Sequence, residues 1–169
     1  MQVRYDPNAD RVLWQLRTFG GELFAVWLTR RMLQRLWPPF QAMVTQASIA
    51  QVAPGATVLP EAREMLAAAA RERALPAADF DQPFDATPAA QPLGSEPLLV
   101  TAIDLTPGSP GTGLAMRVRE GSGRSLELRL SDDLATALVR LLDKALAAAD
   151  WGIGPPASAS APAVPTALN

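Results

Sequence analysis

Trp27, Arg30 and Arg31 stand within five residues of one another in the stretch AVWLTRR, and Arg35 follows one helical turn later. An indole beside cations suits one kind of chemistry: the ring stacks on a base while guanidinium groups hold phosphate or carboxylate. Arg17, ten residues before Trp27, joins the set if the chain turns back between them. Thr29 and the free amides of a helix start would complete an anion site. The plainer reading is arginine bias, with aliphatic stems covering Leu33 and Trp37. Of the 15 basic residues only Lys144 is lysine, which together with abundant alanine and proline points to a GC-rich, bacterial genome.

Other chemistries are closed at the outset. The chain has no cysteine and no histidine, so disulfides, thiolate nucleophiles and imidazole bases are excluded. Asp79, Asp81 and Asp85 suggest a calcium loop, but its required glycine and glutamate are here Phe84 and Ala90. They read as acidic spacer. No glycine-rich phosphate loop or nucleophile elbow is present. The expectation is a protein that is not an enzyme, with no catalytic residue, metal site or cofactor.

Charge divides unevenly along the chain. Formal net charge is −2, which disfavours nucleic acid overall. Residues 1–51, however, carry six arginines against three acids, a net of +3. The opening MQVRYDPNADR has no apolar core of a signal peptide, and no run reaches the ~18–20 apolar residues of a membrane helix. A cytoplasmic protein that makes no membrane contact is expected.

The elements that position these residues follow from periodicity. Gln2 to Tyr5, Arg11 to Arg17 and Glu22 to Leu28 read as strands. Met32, Leu33, Leu36, Trp37, Phe40, Met43, Val44 and Ala47 keep a helical period across Pro38-Pro39, implying one kinked helix or two sharing a face. Pro60 to Leu75 reads as an alanine-rich surface helix, and Pro76 to Pro97 as a loop in which Phe80 and Phe84 dock. Leu98 to Leu105, Leu114 to Glu120 and Ser125 to Leu130 are strands. Ser131 caps a final helix with Leu134, Leu138, Leu141, Leu142, Ala145 and Leu146 on its buried stripe.

At a shift of 102 residues the two halves match in pattern: Phe24, Val26 and Leu28 fall on Leu126, Leu128 and Leu130, and Thr29 falls on Ser131. The fold class is therefore α+β: two βββα units in one domain, antiparallel hairpins covered on one face by helices. The units span residues 1–51 and 98–153; the surface helix and proline-rich linker occupy 52–97, and 154–169 is a disordered tail. In architecture the repeat resembles the Whirly and PUR single-strand binders, which have four strands per repeat; none of their motifs occurs here.

The repeat also sets the register. A three-residue loop, Phe19 to Gly21, gathers Val12, Trp14, Leu16, Phe24, Val26 and Leu28 on one face, whereas a two-residue turn would exchange the faces. The second outer face then carries Ala115, Arg117 and Arg119 opposite Arg129, Glu127 and Ser125, with an Arg117–Glu127 pair. The first carries Leu13, Gln15 and Arg17 opposite Trp27, Ala25 and Leu23, too apolar to stand in water without a cover or a partner. The expected function is protein interaction, by self-association or with another protein. Its expected contact residues are Leu13, Arg17, Leu23, Trp27, Arg30, Arg31 and Arg35. The alternative is single-stranded nucleic-acid binding through Trp27 and the arginines.

Overall fold

The computed structural model describes residues 1–52, 62, 65, 66, 69, 84, 85, 87, 89–109 and 112–153. Asp6 starts the fold: its Oδ1 accepts from the amides of Asn8 at 3.0 Å and Ala9 at 3.1 Å, an Asx turn that folds the chain back. β1 (Gln2–Asp6) thereby pairs antiparallel with β2 (Arg11–Arg17). β2 pairs with β3 (Leu23–Thr29) in the expected register, with Leu13 opposite Trp27 and Leu16 opposite Phe24. The Thr18 amide closes the three-residue loop on the Glu22 carbonyl at 2.9 Å. Gly21 holds a φ of 82°, and a Cβ there would meet that of Ala89 at 3.0 Å. Both facts favour glycine.

α1 (Arg30–Val52) starts where Thr29 Oγ1 accepts the Met32 amide at 3.2 Å, and it continues through Pro38 and Pro39 as one helix. Each proline removes the donor to the carbonyl four residues back, at Gln34 and Arg35. Both those residues and both prolines are exposed, so water can serve the freed carbonyls. The opposite face buries Leu33, Leu36, Trp37, Phe40 and Val44.

The run expected as one strand, Leu98 to Leu105, is two strands in different sheets. β4 (Leu98–Leu99) lies parallel to β3, with Leu99 beside Trp27, and the Val100 amide still reaches the Trp27 carbonyl at 3.1 Å. One residue on, the Thr101 amide bonds the Arg119 carbonyl at 2.9 Å, and β5 (Ala102–Pro107) opens the second sheet. The chain changes sheets between those two amides. A bidentate pair fixes the crossing: Arg124 Nε and Nη2 donate to Glu120 at 2.7 and 2.9 Å, and Glu120 accepts the Leu99 amide at 2.9 Å. Arg124 Nη1 donates onward to the carbonyls of Leu93 and Glu96, at 2.8 and 3.0 Å. The Arg124 guanidinium, then the Ser122 hydroxyl and the Leu99 amide, hold the Glu120 carboxyl down to about 2.

β6 (Leu114–Arg119) and β7 (Ser125–Leu130) complete the second sheet with the expected three-residue loop, in which Gly123 has a φ of 97°. The architecture is α+β, with sheets ordered β1-β2-β3-β4 and β5-β6-β7. The short fourth strand departs from two equal three-stranded units. α2 (Asp132–Ala149) is capped by Ser131 Oγ, which accepts the Leu134 amide. Its buried face centres on Ala135, Leu138, Val139, Leu142 and Leu146. Leu134, expected in that stripe, lies on its flank and is 49% exposed. α2 lies along β1 of the first sheet while α1 reaches β5 of the second. The helices thus cross between the sheets, and one core runs from Val12 to Trp151.

Most of the alanine-rich stretch from Pro60 to Leu75, Phe80 and the tail 154–169 fall outside the described residues. At the described positions between Pro76 and Pro97 there is no helix and only one isolated bridge, Ala90 to Glu22.

Candidate functional site

The seven expected contact residues do not form one surface. Arg30 goes elsewhere: its Nη2 donates to the Trp151 carbonyl at 3.1 Å, just beyond the end of α2. Trp151 Nε1 donates to Asp10 Oδ1 at 2.9 Å, the Tyr5 hydroxyl donates to the same oxygen at 2.8 Å, and the Tyr5 and Trp151 rings meet edge to face. A cation misplaced for its own helix N-terminus is well placed for the carbonyl end of the other helix. Arg30 is thus a clasp between α1, α2 and the β1–β2 turn. Arg31 and Arg35 are exposed, with no ion pair or hydrogen-bond partner among the described residues.

On the outer face of the first sheet, one row crosses four strands: Arg4, Leu13, Trp27 and Leu99. Leu13 is 5% exposed and Leu23 is 6% exposed, so neither offers the open contact surface expected of it. Trp27, Ala25 and Leu99 are half-buried. The linker itself runs beside the hairpin loop and the start of β3. Arg17 is bonded to the Asp85 carboxylate, the Ala89 amide to the Gly21 carbonyl, and the Leu23 amide to the Ala90 carbonyl. The Thr87 amide and Arg17 hold the Asp85 carboxyl below its ordinary range. Arg17 is therefore engaged within its own chain.

The outer face of the second sheet is of another kind. Asp104, Arg117 and Glu127 form a cross-strand row, all exposed, with Arg117 and Glu127 at 3.7 Å and Arg119 and Asp104 at 2.8 Å. Two ion pairs lie across this face, and Arg129 beside them is exposed.

Two features escaped the sequence reading. Phe19, at the tip of the first hairpin, is fully exposed. Its signal was the three-residue loop itself, which puts an aromatic where nothing can pack on it. The other is a cleft of about 260 Å³ between the second half of α1, the β5–β6 loop and the start of α2, walled by Met43, Ala47, Pro107, Leu114 and Asp132. Asp132 is buried there, and its Oδ2 accepts from the side-chain Nε2 of Gln51. Among the described residues no three carboxylates gather to hold a metal ion, and no helix is long and apolar enough to cross a membrane.

No family model, curated protein or solved structure matches this chain.

Proposed function

We propose that this chain is a non-catalytic interaction module that binds a protein partner, or a second copy, through the first hairpin. The contact would use the part of its outer face left open beside Trp27, with Phe19 at the tip as a second apolar anchor. The observation that carries this reading is the inequality of the two outer faces. One sheet shows the world a charge ladder, whereas the other shows a half-buried indole between Ala25 and Leu99. Aromatic side chains in partly desolvated settings are the usual energetic centres of protein contacts. We also read the two βββα halves as related, since each hairpin has a three-residue loop and is followed by a helix whose cap is Thr29 or Ser131.

The single-strand reading draws less support from the geometry. Arg17 is paired with Asp85 and Arg30 is turned to Trp151, which leaves Arg31 and Arg35 to track a phosphate chain. The test of the favoured reading is Trp27→Ala. It should leave the fold intact and weaken capture of the partner at least tenfold. A collapse of the fold with no separable binding loss would make Trp27 a core residue and nothing more.

A further inference from the structure

The second sheet ends in β7, which is paired on one side only. Among the described residues no backbone hydrogen bond outside the ladder reaches its free side. The ladder itself decides which residues face that edge. The Thr101 amide bonds the Arg119 carbonyl, so the polar backbone groups of Arg119 point to β5. Its opposite number across the hairpin, Ser125, therefore turns its own N–H and C=O outward. Alternation carries this to Glu127 and Arg129. Leu126, Leu128 and Leu130 bond β6 instead.

Along this edge the residues run Leu126, Glu127, Leu128, Arg129, Leu130: symmetric in hydropathy about Leu128 and opposite in charge. We propose that two copies of the chain pair antiparallel through β7, about a twofold axis at Leu128, and join their three-stranded sheets into one of six. In this register Glu127 lies opposite Arg129 of the second copy, and Arg129 opposite its Glu127. Those are the residues whose amides and carbonyls face the edge, so each of the two pairs exchanges backbone hydrogen bonds as well as charge.

Within one chain these groups have room for the contact. Glu127 meets only Arg117, at 3.7 Å with both side chains more than half exposed, and Arg129 has no partner among the described residues. On the inner face Leu126 and Leu130 are buried while Leu128, at the axis, is half-buried and would meet its own copy. Centring the axis one residue either way, on Glu127 or Arg129, sets like charges face to face, so the register is specified. An isologous contact of this kind closes on itself as a dimer.

The contact is separate from the Trp27 face and does not depend on it. Sedimentation equilibrium of the full chain at low salt tests it with E127R, R129E, the double variant, and an equimolar mixture of the two single variants. The wild type should dimerise. Each single change should raise the dimer dissociation constant roughly tenfold, as two cross-strand attractions become repulsions. The double variant and the mixture should recover it, which no folding defect can imitate. Glu127→Pro, which removes an edge-facing amide and none that bonds β6, should give monomer. A wild type monomeric at all concentrations, single variants that associate like wild type, or an unrecovered double variant would each overturn the proposal. So would a dimer abolished by Trp27→Ala with these variants inert, which would move self-association to the first sheet.

Discussion

The Arg30 guanidinium donates to the Trp151 carbonyl at 3.1 Å, joining the start of α1 to the end of α2 across 121 positions of sequence. This one bond accounts for the first of the two cations with which α1 begins. Arg30→Ala should cost about 1–2 kcal/mol of unfolding free energy, the range for a charged donor lost from a partly buried carbonyl. Arg31→Ala, at an exposed neighbour with no described partner, should stay within about 0.5 kcal/mol of wild type. Urea unfolding of the two variants side by side checks this, and equal effects would refute the clasp.

The crossing between sheets should be acid-sensitive. Glu120 is held down to about 2 by Arg124, below the ordinary 4.5, so its pairing favours the folded chain in full above pH 4.5. That contribution fades as pH falls through 4.5 and is gone below about 2. Thermal melts between pH 6 and 2 should fall more steeply for wild type than for Glu120→Gln, which starts lower and has less to lose. Parallel slopes would show that the pair contributes nothing.

Two loop glycines should respond unequally to alanine. At Gly123 the φ of 97° strains any side chain but the space around is open, so Gly123→Ala should cost about 1–2 kcal/mol. At Gly113 a Cβ would sit 1.8 Å from the Leu130 carbonyl oxygen, in backbone that cannot yield cheaply. Gly113→Ala should be the more damaging, read as the larger drop in melting temperature.

Phe19→Ser should be silent in stability, within about 0.5 kcal/mol, because the ring buries nothing. It should nonetheless weaken partner binding if the hairpin is the contact. A stability loss would mean that the loop packs in solution.

Oligonucleotides should leave tryptophan fluorescence unchanged even at low salt. Trp14, Trp37 and Trp151 are buried, so any quenching would report Trp27. Salt-reversible quenching would restore the single-strand reading.

Much of this fold is legible in the chain. Both hairpin registers follow from alternation and from glycines at the loop ends, because a slip of one residue would exchange core for solvent. The Ser131 cap is local chemistry and reads directly. What is hidden is non-local. Leu98 to Leu105 is one apolar run, and nothing within it marks the change of sheet, which is set by Trp27, Arg119 and Glu120. Arg30 looks like an anion-binding residue until its distant acceptor is known. Leu13 and Leu23 look exposed on the hairpin alone, because alternation tells the two faces of a strand apart and not what lies over each of them.

The most direct test of the interaction surface is site-specific photo-cross-linking in cells, with p-benzoylphenylalanine placed at Trp27 and, separately, at Asp104, on the charged outer face of the second sheet in β5, the strand farthest from β7. Position 27 should yield a discrete adduct, to another protein or a second copy, and position 104 should yield none. Identical adducts from both positions, or none from position 27 in a folded variant, would contradict an interaction surface at Trp27.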